Sequence, residues 1–196
     1  IDRIEFESGQ RTEVGQRLRN AVLARKGLGP FGAARHHGHH FVADGYLPSW
    51  VPVAGAMLAR TTTLRVSTDI AVLPFHHPIR LAEDLAVLDN LSGGRIELGV
   101  GMGYVATEFA GLGVPLAERV SRTEEALDVL ALAWSGERFR YQGRRFRFED
   151  LRVTPDPVQP GGPPVWVITG PLFLPRPVEG PKGGGGGSGG GLRRGL

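Results

Sequence analysis

The stretch STDIAVLPFHHPIRLAEDLAVLDNLSGGRIELGVGMGY, residues 67–104, decides the fold of this 196-residue chain. It begins within LRVSTDIAVL (64–73), an apolar and β-branched segment that is typical of a buried strand. The segment 78–91 then starts with Pro78 at a helix-start position and places leucines on one helical face. RIELGVGMG (95–103) predicts a second buried strand that ends in a glycine turn. Strand, helix and strand in this order indicate a βα unit of a parallel sheet.

The same alternation extends to both sides of this stretch. VPVAGAMLAR (51–60) predicts a helix, and Ser121 with Glu124 three residues later forms a capping box that predicts the start of another. Alternating aromatic and charged residues predict a hairpin over 139–151, and PPVWVITG (163–170) predicts a further buried strand. The pattern leaves two α/β arrangements open, a doubly wound sheet or part of a (βα)8 barrel.

Net charge differs between the ends and the middle of the chain. Gly and Pro together number 45 (30 and 15), and the formal net charge is +3. Residues 1–40 (seven basic, four acidic) and 171–196 (four basic, one acidic) each have +3, whereas residues 41–170 (twelve basic, fifteen acidic) have −3. A nucleic-acid-binding protein has a basic face on its folded body, so this distribution argues against a nucleic-acid partner.

The residue types and segments that this sequence lacks indicate the cellular compartment in which we expect the protein. The chain has no Cys, which excludes disulfides and thiolate metal sites and fits a reducing compartment. It has no apolar run of the roughly 20 residues that a membrane span needs, and its N-terminal IDRIEFESGQR lacks the apolar stretch of a secretory signal. We therefore expect a cytoplasmic protein without a membrane partner.

All six histidines lie in two clusters, HHGHH (36–40) and HH (76–77). Three interpretations are open: a zinc or nickel site, solvated or core-satisfied side chains, and a pocket wall that holds a ligand or moves a proton. No Cys is present and Asp44 is the nearest following carboxylate, so a metal-ligand set is incomplete. We expect no metal and favour the pocket wall.

The glycine turn and one strand carboxylate are further candidates. Gly101, Gly103 and Ala106 fit the dinucleotide pattern G-x-G-x-x-A, but the following YVATEFAGLGVPL is not an amphipathic helix. A structural turn and a close backbone approach to a bound phosphate or ring stay open. Asp69 lies in an otherwise apolar strand, where an ionised carboxylate needs a structural partner or a ligand. Spacing alone predicts an α/β protein with a histidine-lined, glycine-floored pocket.

Motifs along two thirds of the chain, from about His36 to Gly170, point to one family. Five segments together resemble the bacterial luciferase-like flavin-dependent oxidoreductases: DGYLPSW (44–50), the stretch 67–104, EFAGLGVPLAERVSRTEEALDVLALAW (108–134), the predicted hairpin (139–151) and PPVWV (163–167). Within them, LPFHHPIRLAEDLAVLDNLSGGR and LGVGMGY are the most specific motifs.

The resemblance implies a (βα)8 barrel with its site at the C-terminal ends of the strands. It implies FMN as the cofactor, or the deazaflavin F420 as in some members. In the monooxygenase members, reduced flavin from a separate flavin reductase is used with O2 to oxygenate a small organic substrate. The protein excludes water and orients the ring.

Individual site residues follow from the resemblance by position. His36 matches the first histidine of a Glu-His-His element and is the candidate catalytic acid or base. The Asp69-Ile70 bond lies where many members have a non-prolyl cis peptide under the flavin ring, and Thr169-Gly170 lies where the family begins a phosphate-binding loop. The residues that the resemblance assigns to the cofactor are His37, Thr68, Asp69, Ile70, Gly101, Met102, Gly103, Tyr104, Thr169 and Gly170.

The chain departs from the family pattern at three places. Arg35 stands where the family has Glu, and Met102 stands where an Arg often pairs with the flavin phosphate. KGLGPFGAAR (26–35) contains too much Gly and Pro for the central strand expected there.

We expect residues 1–170 to form an incomplete barrel domain of about five βα units, with 1–35 atypical, and residues 171–196 to form a disordered Pro/Gly-rich tail. Both ends have the Arg and Gly bias of coding sequence translated in a shifted frame, so we expect a truncated or frame-shifted chain. An open half-barrel leaves an unpaired edge and favours homo-oligomers. The alternatives to an active monooxygenase are a non-catalytic flavin-binding or oligomerising remnant and an F420-dependent hydride-transfer enzyme.

Overall fold

The computed structural model describes most of the segment between residues 33 and 175. The backbone is described at residues 33–36, 39–41, 47–169 and 172–175, and side chains are described at 39–41 and 47–167. Within these ranges the chain forms one mixed sheet, one separate hairpin and four α-helices. No helix among the described residues is long and apolar enough to span a membrane.

The elements alternate as strand and helix over most of this length. The helices are α1 (Trp50–Arg60), α2 (Pro78–Ser92), α3 (Ala106–Gly111) and α4 (Arg119–Ala133), with 3-10 turns at Leu73–Phe75 and Leu116–Glu118. The strands are β1 (Ala33–His36), β2 (Arg65–Thr68), β3 (Ala71–Val72), β4 (Ile96–Gly101), β5 (Phe139–Gln142), β6 (Arg147–Leu151), β7 (Val165–Thr169) and β8 (Leu172–Pro175).

The main sheet has the order β1-β2-β4-β7-β8, with β3 also paired to β4. The pairs β1–β2, β2–β4, β3–β4 and β4–β7 are parallel, and β8 runs antiparallel to β7. When β2 and β3 are counted as one interrupted strand, each parallel strand therefore lies beside the next one along the chain. A doubly wound sheet reverses its strand order at a switch point, and this part of the sheet does not reverse. The order matches that of a (βα)8 barrel.

The apolar core lies between the sheet and the three long helices. Ile96, Leu98 and Val100 of β4 are fully buried and belong to one core with Leu85 of α2 and Leu130 of α4. Helix α2 packs between α1 and α4. The alternate residues of a strand point to the opposite face, and that face holds a row of polar contacts across three strands. There, Arg65 Nε and Trp166 Nε1 both donate to the carboxylate of Glu97, at 2.7 and 3.1 Å.

Local signals predicted the first two long helices closely. Helix α1 spans Trp50–Arg60 against the predicted 51–60. Helix α2 begins at Pro78 as predicted and ends at Ser92, where Gly93 follows as the C-cap with a left-handed φ of 65° that favours glycine. Both predictions are confirmed.

The single strand predicted over 64–73 is wrong, because the structure has two short strands instead. Strands β2 and β3 are separated by Asp69-Ile70, and the bond between these residues is cis. Ser67 pairs with Glu97, and Ala71 pairs with Val100. Ala71 is four residues after Ser67, whereas Val100 is only three residues after Glu97. The upstream strand therefore has one extra residue, which is the definition of a β-bulge.

The capping box predicted at Ser121 is also wrong. Helix α4 begins at Arg119 after Glu118, because the preceding 3-10 turn leads directly into it. Ser121 lies inside the first turn, where its hydroxyl donates to the Glu118 carbonyl (3.1 Å) and accepts from Arg145 Nε (2.9 Å). A second difference is α3, a six-residue helix in the segment where the sequence predicted none.

The predicted hairpin is confirmed as the antiparallel pair β5–β6. Its turn is held from α4 by the carboxylate of Glu125, which accepts the backbone N–H groups of Arg144 (3.0 Å), Arg145 (2.7 Å) and Phe146 (3.0 Å). The turn starts with Gly143, where a Cβ atom would lie 2.2 Å from Glu125 Oε2. Glycine is therefore required for the carboxylate to reach the turn.

Two short strands form where the sequence predicted none. Strand β1 follows the Gly/Pro-rich segment 26–35, and β8 occupies residues 172–175 of the predicted tail. Both lie at the edges of the described sheet, where proline and glycine are tolerated, and the LFLP segment is apolar enough to pair with β7. Residues 1–32 and 176–196 lie outside the described residues, so the number of βα units and the disorder of the tail stay predictions.

Candidate active site

The candidate site lies at the C-terminal edge of the parallel strands. Strand β1 ends at His36, which pairs with Thr68 at the end of β2, while β4 ends at Gly101 and β7 ends at Thr169. The carboxyl ends of parallel strands share one edge of the sheet, so the structure brings these predicted positions together. The side chains of His36 and Thr169, and all of His37 and Gly170, lie outside the described residues.

The hydroxyl of Thr68 forms two hydrogen bonds with the neighbouring strand β4. Its hydroxyl donates to the Gly99 carbonyl at 2.6 Å and accepts from the Gly99 N–H at 2.9 Å, and its side chain is buried. A hydroxyl has a single hydrogen, so Thr68 has none left to donate to a ligand. The side chain therefore joins β2 to β4 beside the bulge, and a cofactor contact at Thr68 stays a prediction.

The glycines of the turn accommodate side chains from the neighbouring strand. A Cβ atom on Gly101 would lie 2.2 Å from Cδ1 of Ile70, and one on Gly103 would lie 2.5 Å from Cγ1 of Val72. Gly103 also has a φ of 70°, which a side chain disfavours. Close packing against Ile70 and Val72 therefore favours glycine at both positions, and the cofactor contacts of Gly101 and Gly103 stay predictions.

An open face remains beside this turn. Tyr104 is 83% exposed and Met102 is 40% exposed, whereas Asp69 and Ile70 are half-buried. Ile70 lies over Gly101, and the other three residues are direct chain neighbours of Ile70, Gly101 or Gly103 at the same edge of the sheet. We call the four residues Asp69, Ile70, Met102 and Tyr104 the ring shelf.

The two histidine clusters meet at a small cleft next to the ring shelf. His40 and His76 both line this cleft, which has a volume of about 80 Å³, together with Phe75 and Trp50. The ring of His40 meets Phe75 edge-on at 5.7 Å between centroids. His77 is directed elsewhere and contacts Phe148 of the hairpin at 5.7 Å. One residue from each cluster therefore forms a pocket wall, as the sequence analysis favoured.

His76 is a neutral side chain at pH 7. Burial and the nearby His40 lower the pKa of His76 from 6.5 to about 4. A neutral imidazole has one N–H donor and one acceptor nitrogen. His76 can therefore donate one hydrogen bond to a ligand and accept another, while its low pKa disfavours taking up a proton at pH 7.

Glu108 positions the segment that contains His39 and His40, which we call the histidine segment. The sequence did not identify Glu108 as a site residue. It lies on α3 and is buried, and its Oε1 accepts the backbone N–H of His40 at 2.9 Å and lies 3.5 Å from Nδ1 of His39. The next residue, Phe109, meets Phe75 edge-on at 4.6 Å. An acidic residue between apolar neighbours in VATEFAGLG was the available signal.

Trp50 is a second cleft residue that the sequence did not identify as a site residue. It starts α1 and lines the cleft, and its ring lies 6.2 Å from that of His76 at an angle of 74°. Its indole Nε1 is buried without a hydrogen-bond partner, the only such side-chain atom in the described part of the chain. No local sequence pattern predicts that this indole lacks a hydrogen-bond partner, because its partners depend on which groups of the folded chain lie next to it.

The described residues also bear on metal binding. No group of three or more His, Cys, Asp or Glu side chains within them is arranged to hold a metal ion. The polar groups of the cleft are instead an indole, two imidazoles and the hydroxyl of Ser49.

Parallel strands in chain order, with the candidate side chains at their carboxyl edge, define a protein of the βα-barrel class. The chain belongs to the luciferase-like monooxygenase family, whose model matches residues 9–170. The members of this family are oxidoreductases. The match begins ahead of His36, which corrects the expectation that the family pattern starts there.

Curated relatives include monooxygenases of known reaction. The alkanal monooxygenase alpha chain of the Kryptophanaron alfredi symbiont is 29% identical over 156 residues, which are 80% of this chain and 43% of that protein. The oxygenase component of the flavin-dependent trigonelline monooxygenase of Acinetobacter baylyi is 25% identical over 170 residues, or 85% and 46% of the two chains. The chain thus spans less than half the length of these relatives.

Solved structures share the fold over a similar length. Monooxygenase RslO1 from Streptomyces bottropensis has a TM-score of 0.68 and 29% identity, covering 79% of this chain and 48% of that one. The oxygenating constituent of 3,6-diketocamphane monooxygenase from Pseudomonas putida, in complex with FMN, has a TM-score of 0.67, 19% identity, and 83% and 48% coverage. An F420-dependent secondary alcohol dehydrogenase has a TM-score of 0.64, 22% identity, and 79% and 48% coverage.

Proposed function

We propose that this chain forms the flavin-binding part of a luciferase-like monooxygenase, which uses reduced flavin and O2 to oxygenate a small organic substrate. One observation supports this most directly. The described residues bring the ring shelf and the cleft between His40 and His76 to the edge where βα barrels bind their substrates.

The ring shelf suits the flat ring of a flavin better than its phosphate. Tyr104 exposes an aromatic ring, and Ile70 and Met102 expose apolar surface on which such a ring can pack. A phosphate requires a cation or a set of free N–H donors, and the described side chains at 68–72 and 101–104 include no Lys or Arg. The ring therefore fits these residues, and we propose that the phosphate is held elsewhere, starting at Thr169 and Gly170.

A bound flavin would supply the redox chemistry, and the chain would supply binding, orientation and proton handling. We propose His36 as the catalytic acid or base, with His37 at the cofactor, because β1 ends there in register with Thr68. His40 and neutral His76 add hydrogen-bonding groups at the cleft, and Glu108 holds the backbone of His40. The apolar walls of the cleft help to exclude water.

We propose FMN as the cofactor, delivered in reduced form by a separate flavin reductase. The trigonelline relative is named as an oxygenase component, and the 3,6-diketocamphane enzyme was solved with FMN, which supports both parts of the proposal. F420 is the alternative cofactor, because an F420-dependent dehydrogenase shares the fold. Hydride transfer would then replace oxygenation.

We also propose the architecture that this function needs. Residues 1–170 would belong to a (βα)8 barrel, of which they form about five βα units. Strands β1 and β8 leave open edges in the described part of the sheet, which favours pairing with a second copy. A non-catalytic flavin-binding or oligomerising protein of the same fold is the second candidate function, and the same open edges favour it.

The test begins with the purified chain and added FMN. Gel filtration removes free flavin, and the absorbance of the protein fraction measures what is bound. A reductase then supplies reduced FMN, and substrate-dependent O2 consumption is compared with the reductase alone. Bound FMN with turnover supports the monooxygenase, and bound FMN without turnover supports the non-catalytic alternative. A chain that binds neither FMN nor F420 contradicts the proposal.

His36 is tested in the same assay. His36→Ala is expected to lower turnover by about 10² to 10⁴, the range for loss of a general acid or base. His77→Ala is the matched control, because His77 contacts the hairpin and not the cleft. An unchanged rate in His36→Ala excludes the proposed role.

A further inference from the structure

The cleft between the start of α1 and β3 is small and mostly apolar. Its wall includes the side chains of Leu47, Val51, Ile70 and Phe75. Its volume of about 80 Å³ is several times the roughly 10–15 Å³ that one water needs, whereas small-molecule pockets usually measure about 300–1,000 Å³. The cleft therefore accommodates a group of a few heavy atoms and not a ring system.

Two imidazoles in this wall have no hydrogen-bond partner. His40 and His76 are both half-buried and both line the cleft, and no group in the described part of the chain bonds to their ring nitrogens. The only side-chain atom there that is both fully buried and unpartnered is the indole Nε1 of Trp50, which therefore cannot reach a ligand. The ring nitrogens of the two histidines must then be accessible. Each imidazole provides a donor, an acceptor or both to a ligand in the cleft.

The charges at the cleft favour an uncharged ligand. No Asp, Glu, Lys or Arg is among the described residues that line it, so an ion would find no opposite charge in the wall and would lose hydration. Burial and the nearby His40 lower the pKa of His76 from 6.5 to about 4, so its imidazole is uncharged at pH 7. The carboxylate of Glu108 accepts the backbone N–H of His40 at 2.9 Å, which disfavours an anion beside that residue. Glu108 itself does not line the cleft, so a cation cannot pair with it directly.

The ligand must match both the apolar and the polar part of this wall. The apolar side chains favour carbon atoms, while the two imidazoles and the hydroxyl of Ser49, which makes no capping hydrogen bond, favour a polar atom. Aliphatic amines are protonated at pH 7 and carboxylic acids are ionised. The uncharged polar groups that remain at this size are hydroxyls and carbonyls.

We propose that this cleft binds the uncharged oxygen group of a small organic molecule, a hydroxyl or a carbonyl carried on a few carbon atoms, with His40 and His76 as its hydrogen-bonding partners. Binding at the cleft requires no flavin. Only the further statement that this molecule is the substrate rests on the proposed function. The substrate would then be an alcohol or a carbonyl compound.

The experiment titrates the purified chain, without flavin, at pH 7 and constant ionic strength. Acetone supplies the carbonyl and propan-2-ol the hydroxyl, while acetate and isopropylammonium place a negative or a positive charge on frames of similar size. In NMR spectra, the backbone N–H signals of Ala71 and Val72 and the imidazole signals of His40 and His76 report binding at the cleft. We expect saturable shifts with at least one neutral probe, and the tighter of the two identifies the oxygen group. Both ions should bind at least about tenfold more weakly, a difference of about 1.4 kcal/mol.

Variants test the two imidazoles individually. His76→Phe keeps an aromatic ring of similar size and removes both ring nitrogens, and we expect at least a tenfold loss of affinity for the tighter neutral probe. His40→Phe tests the second imidazole in the same way. His77→Phe is the matched control and should keep the affinity, because His77 contacts the hairpin and not the cleft. Unchanged indole N–H signals of Trp134 and Trp166, which both have hydrogen-bond partners, establish that the variants are folded.

Three outcomes would overturn the cleft site. They are the absence of a saturable shift with both neutral probes, binding of either ion as tight as that of the neutral probes, and unchanged affinity in both His76→Phe and His40→Phe. A chain that binds a neutral probe as expected but fails to bind flavin contradicts the proposed function and leaves the cleft site intact. A chain that binds flavin but neither neutral probe overturns the cleft site and leaves the proposed function intact.

Discussion

The carboxylate of Glu108 accepts the backbone N–H of His40 at 2.9 Å, across 68 positions of sequence. The same carboxylate oxygen lies 3.5 Å from Nδ1 of His39. Glu108 is on a helix of only six residues that follows β4, and its side chain is buried. One carboxylate therefore fixes the histidine segment relative to the end of β4.

Replacement of Glu108 should release this segment. In Glu108→Ala, the backbone N–H of His40 loses a charged acceptor, and such hydrogen bonds contribute about 1.5–3 kcal/mol. We expect faster hydrogen exchange at the His40 amide and a fall of about 2 kcal/mol in the free energy of unfolding, measured by urea denaturation. Glu83→Gln is the control, because Glu83 pairs with Arg80 at the surface and should change stability by less than about 0.5 kcal/mol. An unchanged exchange rate at His40 would contradict the positioning role.

His76 should make the protein less stable in acid. Its pKa is lowered from 6.5 to about 4 by burial and by His40, so the unfolded chain takes up a proton at higher pH than the folded one. The contribution of His76 is complete above pH 6.5 and is lost as the pH falls toward 4, by at most about 3 kcal/mol.

The measurement compares urea unfolding of the wild type and His76→Asn at pH 7, 6 and 5. The difference between the two proteins should change with pH, because other titrating groups are common to both. His77→Asn is the control, and it should follow the wild type. Parallel curves for the wild type and His76→Asn would refute the prediction.

The hairpin should depend on Glu125. Its carboxylate accepts three backbone N–H groups of the turn, and Glu125→Ala leaves them without this acceptor. We expect a loss of about 2–3 kcal/mol in unfolding free energy. Gly143→Ala should have a similar effect, because its Cβ would lie 2.2 Å from Glu125 Oε2. The neighbouring exposed Glu124, replaced by Gln, is the matched control, and equal stability of all three variants would argue against this anchor.

Two glycines of β4 should respond differently to alanine. A Cβ on Gly99 would lie 2.1 Å from the backbone oxygen of Thr68, which cannot move without breaking the β2–β4 pairing. A Cβ on Gly101 would lie 2.2 Å from Cδ1 of Ile70, the end of a side chain that can rotate. We expect Gly99→Ala to prevent folding or to cost more than about 3 kcal/mol, and Gly101→Ala to cost about 1–2 kcal/mol.

A double variant identifies the clash at Gly101. Ile70→Val removes the Cδ1 atom, so Gly101→Ala combined with Ile70→Val should regain part of the stability lost in Gly101→Ala. Additive losses in the double variant would show that Ile70 does not determine the cost.

Local signals explain which elements were predictable. Helix α2 begins at Pro78 and ends at Ser92 before its capping Gly93, so each boundary is encoded by a residue at the boundary itself. The common edge of the predicted site residues was also predictable, because strand ends of a parallel sheet coincide. In contrast, the break after Thr68 coincides with its hydrogen bonds to Gly99, 31 positions away, which a strand pattern does not contain.

The missed site residues have the same explanation. Trp50 is significant because no partner reaches its indole, and Glu108 is significant because a distant backbone N–H does reach its carboxylate. In the sequence, each is one residue of a short helix. The start of α4 was misplaced for a related reason, since the turn before Arg119 continues into the helix and leaves Ser121 no capping role.

The extra residue between β2 and β3 changes whether the even-numbered or the odd-numbered side chains of this segment face the helices. Before it, the even-numbered Val66 faces the helices, and after it the odd-numbered Ala71 and Leu73 do. Ile70 and Val72 are thereby turned toward Gly101 and Gly103 at the site. A regular strand would have placed these two side chains in the helical core, so one inserted residue allows the same apolar segment to serve the core first and the site afterwards.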